Sequence, residues 1–119
     1  MEDKLELVNS DIILQALYIL CNISAGNEKH KAVILEKNFL KKVLFFMESN
    51  ESKIRLVCIL ILNNLLTSND PGAEKRFNQI NEYNLIPKLE KIISKENEDN
   101  ELKIYTSNIL NQIRNLQNK

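Results

Sequence analysis

The chain has 119 residues, enough for one domain that buries between ~60% and ~70% of the surface its unfolded form exposes. Sixteen basic residues balance sixteen acidic ones, evenly in both halves, which argues against the electrostatic footprint of a nucleic-acid-binding protein. With 44% apolar residues, 27% charged residues, two glycines and two prolines, the composition is that of a soluble helical protein. The longest apolar run, residues 56–62, is far short of the ~18 residues of a membrane span. The charged first ten residues lack the apolar core of a signal peptide. Two cysteines inside apolar stretches point to a reducing compartment, so cytosol or nucleus is expected.

Residues 1–9 read as a polar lead-in or as the remnant of a preceding helix, and residues 10–119 as a single repeat domain. Asn9, Ser10 or Asp11 offers a cap for a long helix that runs to about Ala25, where Gly26 supplies a residue tolerant of the left-handed conformation. Asn27 caps a short helix, Glu28 to Lys37, with Val33 and Ile34 inward. After Asn38 comes a middle helix over residues 39–47, apolar at i, i+4 and i+7. Ser49 or Asn50 caps a second long helix that ends near Thr67. Asp70-Pro71 is a start signal, a capping carboxylate followed by proline at the first helical position, for a helix to about Tyr83 with Phe77 and Ile80 inward. After Asn84 a further helix covers residues 85–93. Residues 96–100 form an acidic loop, and a last helix spans about Glu101 to Leu116.

These elements repeat. At a shift of forty-two, Ile12, Leu14, Ala16, Ile19, Asn22 and Ile23 fall on Ile54, Leu56, Cys58, Ile61, Asn64 and Leu65. At a shift of forty-six, Asn38, Phe39, Val43 and Phe46 fall on Asn84, Leu85, Leu89 and Ile92. At forty-eight, Ile54, Cys58, Ile61 and Asn64 fall on Leu102, Thr106, Ile109 and Gln112, a more polar third copy of the long helix. A period near forty marks a helical solenoid, whose units bury their apolar faces only against neighbours. The unit is short, middle and long helix. The expected fold is therefore all-α, a right-handed solenoid of two whole three-helix units plus one extra long helix.

Three helices per unit, a small residue early in the long helix (Ala16, Cys58, Thr106) and an amide near its end resemble the armadillo repeat over residues 10–116, with HEAT repeats sharing much of the pattern. Asn38 and Asn84 stand where that family usually has a glycine between its first two helices, and asparagine enters the left-handed region at modest cost. A narrower resemblance rests on residues 40–47 (LKKVLFFM), Leu62-Asn63-Asn64-Leu65, the insertion over residues 69–76 (NDPGAEKR) and residues 84–89 (NLIPKL). This ordered set looks like the C-terminal repeats of the armadillo-repeat subunits of CTLH/GID ubiquitin-ligase complexes, although Thr67 stands where those tend to carry Trp.

The resemblance implies a non-enzymatic protein-interaction scaffold whose long helices line a concave face, with the amides Asn22, Asn64 and Gln112 holding an extended peptide at its backbone. One turn earlier stand Tyr18, Leu60 and Asn108, and a further turn back Gln15, Val57 and Tyr105. The partner implied is a protein, an extended peptide or a complex subunit. Against this stands a plain alternative, that an Asn near a helix end bonds a loop carbonyl and the repeats are the structural end of a longer solenoid with no ligand of their own. In that case the apolar edge of the first long helix lacks a neighbour and is exposed.

The residues show no enzyme chemistry. His30 is the sole histidine, in a solvated charge run, so no zinc site or Cys–His pair is expected with Cys21 or Cys58. Gly26 and Gly72 are isolated and form no phosphate cradle. The acids of residues 96–101 lack calcium-loop spacing, and Lys41-Lys42 is too short for a nucleic-acid patch. No cofactor, metal, small-molecule substrate, nucleic acid or membrane is expected as a partner.

Overall fold

The computed structural model describes residues 2–67, 70–95 and 100–118. They form seven helices, α1 (Glu2–Ser24), α2 (Glu28–Ile34), α3 (Lys37–Phe46), α4 (Ser52–Leu65), α5 (Ala73–Asn81), α6 (Leu85–Ser94) and α7 (Asn100–Gln117), with no strand among the described residues. Of the acidic loop expected at residues 96–100, residues 96–99 lie outside them, as does Asn69 at the start of the insertion, while Asn100 begins α7.

Helix α4 lies between the other two long helices, packed on α1 and on α7. Its sequence is apolar nearly all round because it is covered on most sides. Ile54, Cys58, Ile59, Ile61, Leu62 and Leu65 are buried. Each such Leu or Ile contributes roughly 1.5–3 kcal/mol of burial. Past its first turn, what remains partly exposed is one stripe, Leu56, Leu60, Asn63 and Asn64. These lie at i, i+4, i+7 and i+8, a single helical face. Helices α3 and α5 also pack on α4, while α6 packs on α7. The result is a slab of 50 × 33 × 22 Å. An all-helical stack of this kind is compatible with an armadillo-like solenoid.

The repeated small positions behave as close-packing sites in the second and third long helices. Cys58 and Thr106 are fully buried, and the Thr106 hydroxyl donates to the Leu102 carbonyl at 2.7 Å. Ala16, in the same register on α1, is exposed. Phe77 and Ile80 are buried as expected; of the pair expected inward on α2, Ile34 is buried and Val33 is exposed.

Several local expectations are corrected. Asn9, Ser10 and Asp11 cap nothing, because α1 runs unbroken from Glu2. The α2–α3 corner falls at Leu35 and Glu36, where Glu36 takes an extended conformation (φ −60°, ψ 144°) and α3 starts at Lys37. Asn38 is therefore inside a helix, and among the described residues only Asn84 is left-handed (φ 61°, ψ 50°). Neither Ser49 nor Asn50 is the residue before α4. Glu51 is, and the Ser49 hydroxyl accepts from its N–H at 3.1 Å. Helix α5 starts at Ala73, two residues after Pro71; Asp70 instead closes a turn by accepting from the Gly72 N–H at 3.0 Å. Gly26 has no positive φ. Its lack of a side chain serves another need: a Cβ there would collide with the His30 ring. That ring completes a reciprocal cap on α2, with Asn27 accepting from the His30 N–H at 3.1 Å and His30 Nδ1 accepting from the Asn27 N–H at 3.3 Å.

Candidate functional site

Helices α1, α4 and α7 pack in that order, and the three expected rows of matched residues differ in exposure. In the first row Tyr18 is 44% exposed, Leu60 is half-buried and Asn108 is exposed. In the amide row Asn22 is exposed, while Asn64 and Gln112 are half-buried. In the third row Gln15 is exposed and Tyr105 half-buried, but Val57 is only 3% exposed and belongs to the core. Because α4 is covered on both flanks, its free arc is narrow, and stepping back three residues from Leu60 leaves the arc whereas stepping back four stays on it. The surface row at that level is Leu14, Leu56 and Ile104, the last 59% exposed. The sequence contained this row at its forty-two and forty-eight shifts, but as apolar matches it read as core.

The amides differ in what they do. The Asn22 side chain makes no hydrogen bond among the described residues. The Asn64 amide donates to Ser24 Oγ at 3.0 Å and toward the Cys21 carbonyl at 3.4 Å, so it ties α4 to the last turn of α1. Ser24 is fully buried, and its own hydroxyl donates to the Cys21 carbonyl at 2.6 Å. The Asn64 Oδ1 accepts nothing among the described residues and keeps its lone pairs for another donor.

Beside this face, at the C-terminal end of α4, lies an ionic cluster that sequence reading did not assemble. Arg76, buried, donates through Nε to the Leu65 carbonyl at 2.8 Å and through Nη1 to both Glu28 oxygens at 2.8 and 2.9 Å. Its Nη2 pairs with Asp70 at 2.5 Å. Lys31 donates to Asp70 at 2.7 Å and to the Asn64 carbonyl at 3.2 Å. The Lys31 hydrogen bond holds the Asp70 carboxyl well below the usual carboxylate range; burial opposes this, and the Gly72 N–H and the Arg76 charge add to it. Carbonyls at a helix C-terminus have no intrahelical donor, so two cations there satisfy both hydrogen bonding and the helix dipole. Gly72 lets these side chains approach closely, since a Cβ there would meet the ends of Arg76 and Glu28 and shift them.

The two cysteines are not activated by their surroundings. Burial pushes the Cys58 thiol up to about 12 and raises that of Cys21 as well, so neither is a thiolate at neutral pH. Among the described residues no group of three or more His, Cys, Asp or Glu could hold a metal ion, and no helix is long and apolar enough to cross a membrane.

The chain is similar to curated proteins called Armadillo repeat-containing protein 8. It is 25% identical over 85 residues to that of Danio rerio, which covers 71% of this chain and 13% of that protein. To that of Pongo abelii it is 23% identical over 84 residues, covering 71% of this chain and 12% of that protein, and to that of Mus musculus 23% over 78 residues, covering 66% and 12%. The chain thus spans about an eighth of the length of the curated relatives it matches. No protein-family model matches it, and no solved structure does. The relatives support an armadillo-repeat family, whose members are in general non-enzymatic scaffolds that bind other proteins.

Proposed function

We propose that the chain is a protein-interaction scaffold, a right-handed armadillo-type solenoid of two units, α2–α4 and α5–α7, with α1 as the extra long helix. Its long-helix face holds an extended peptide or a loop of a partner subunit. The observation that carries this reading is Asn22: an exposed carboxamide with no hydrogen bond among the described residues, one turn from the exposed ring of Tyr18 and matched in the repeat with Asn64 and Gln112. A carboxamide donates and accepts at once, which matches the alternating groups of a peptide backbone. Balanced charge in both halves favours protein over nucleic acid as the partner. The narrower sequence resemblance makes the partner another subunit of a CTLH/GID-type ubiquitin ligase, in the cytoplasm or nucleus.

A second reading is favoured by Asn64, whose amide already binds Ser24 within the fold. In that reading the long-helix amides hold the repeats together and bind nothing else. The two readings separate in one experiment. Peptides selected on the whole chain from a displayed library are measured against Asn22→Ala, Tyr18→Ala and Asn64→Ala, with helicity followed by circular dichroism. The scaffold reading expects affinity to fall about tenfold or more for Asn22→Ala at unchanged helicity. Unchanged affinity in both Asn22→Ala and Tyr18→Ala overturns it. Co-purification from cells, with ubiquitin-ligase subunits lost in the Asn22→Ala variant, tests the narrower assignment.

A further inference from the structure

The charge balance of the whole chain is not kept on its middle helices. Helices α3 and α6 together carry Lys37, Lys41, Lys42, Lys88 and Lys91 against one acid, Glu90, in a chain whose charges balance overall. Two of these lysines share a pocket. Lys41 and Lys88 line a recess of about 240 Å³ whose other walls are Leu44, Phe45, Glu48 and Tyr83. Lys88 is half-buried and Lys41 exposed, and among the described residues neither makes a hydrogen bond or an ion pair. The Glu48 carboxylate in the wall lies 3.7 Å from a third lysine, Lys91.

An ammonium group that has lost part of its hydration is ordinarily matched by a carboxylate or a carbonyl. Lys88 has neither, and its position adds to the imbalance. It closes the first turn of α6, the end where the helix dipole is positive and a negative charge is favoured, and that turn contains no acid. With Glu48 drawn to Lys91, the recess keeps an excess of positive charge. Its remaining walls are apolar or aromatic. Phe45 is 71% exposed and meets Phe46 edge-on, with ring centroids 5.1 Å apart, while Tyr83 is half-buried. Aromatic rings beside unpaired cations suit a partner that brings a carboxylate and an apolar side chain together.

We propose that this recess binds a short acidic segment of another protein, with a carboxylate paired to Lys41 and Lys88 and a neighbouring Leu or Phe against Phe45 and Tyr83. The recess has room for one large side chain, so what it recognises is a linear motif and not a folded surface. A nucleic acid is the poorer occupant. Glu48 stands in the wall where a phosphate backbone would meet it, and no arginine joins the set. The site lies on the middle helices and not on the amides of the long ones, and the proposal stands or falls apart from the function argued above.

The test uses a set of short fluorescein-labelled peptides, each with a central Leu or Phe and a pair of glutamates at every flanking spacing, beside a twin set with glutamines in their place. Each is titrated into the whole chain and followed by anisotropy. At low salt the best glutamate peptide binds about tenfold tighter than its glutamine twin, and the ratio shrinks as salt is raised. Lys41→Gln and Lys88→Gln each weaken the glutamate peptide about fivefold and leave the twin as it was, with helicity by circular dichroism unchanged. Phe45→Ser weakens both peptides, and Asn22→Ala weakens neither. The proposal is overturned if no glutamate peptide outbinds its twin, or if the two lysine variants bind as the parent does. It is overturned equally if a labelled oligothymidylate outbinds every peptide and loses that binding in Lys88→Gln, which makes the partner a nucleic acid. A dimer in light scattering that Lys88→Gln converts to a monomer assigns the recess to a second copy of this chain and overturns it as well.

Discussion

Arg76 joins three elements through one guanidinium: the last carbonyls of α4, the first turn of α2 and the turn that precedes α5. Removing it leaves the Leu65 carbonyl without that donor and Asp70 with Lys31 and the Gly72 N–H but without its second cation, so Arg76→Met is expected to cost about 3 kcal/mol by urea unfolding. Glu28→Gln, at a mostly exposed carboxylate, is expected to cost less than about 1 kcal/mol. Asp70 sets the pH response. Its carboxyl is depressed in the fold, above all by the Lys31 hydrogen bond. Its stabilisation is therefore complete above the unfolded value of about 3.9 and is lost as pH falls below that toward the folded value. Urea midpoints measured between pH 6 and pH 2 should drop steeply below pH 4 in the parent and more gently in Asp70→Asn. Sequence reading had given Asp70 a cap, Arg76 a place in an insertion and Lys31 a place in a solvated run. Partners 39 and 48 residues apart share no helical spacing, so nothing local in the chain announced the cluster.

At the scale of elements, the two α-helical corners that look alike in sequence are built differently. The corner before α6 needs a left-handed residue at Asn84, whereas the corner before α3 turns through extended Glu36 and absorbs Asn38 into the helix. Asn84→Ala is expected to cost about 1–2 kcal/mol, the penalty of placing a Cβ-bearing aliphatic residue in that region. Asn38→Ala, at an exposed helical position, is expected to stay within about 0.5 kcal/mol of the parent or to stabilise slightly. Chemical denaturation of the pair decides whether the asymmetry is real. Gly26 makes a similar point. A glycine after a helix reads as a left-handed stop, but here it clears space for the His30 ring that caps α2. Gly26→Ala should cost about 1 kcal/mol through the lost cap. The helices themselves were legible because a 3.6-residue apolar spacing survives any detail of packing; their ends were not, since several backbone conformations turn the same corner.

For the whole molecule, the order of packing makes α4 the element through which distant parts communicate. Helices α1 and α7 each pack on α4, so what α1 knows of α7 passes through the α4 side chains. The repeat at forty-two and forty-eight residues carried that stacking in the sequence. It did not carry the width of the free arc on α4, which depends on both neighbours at once and which moved Val57 into the core and Leu56 to the surface. A stack with only nearest-neighbour contacts has a specific signature in its response to cavities. Leu62→Ala and Ile113→Ala both remove a fully or nearly fully buried aliphatic side chain, each expected to cost about 2–5 kcal/mol. Their reach differs. A cavity in α4 loosens the units on both sides, so native-state hydrogen exchange in Leu62→Ala should quicken in α1, α4 and α7 together. A cavity in α7 weakens its hold on α4, α5 and α6, so Ile113→Ala should quicken exchange there and leave the amides of α1 and α2 near their parental rates. Uniform loss of protection along the chain in Ile113→Ala would mean that the seven helices unfold as one globular unit, and that the repeat describes how the sequence arose but not how its stability is distributed.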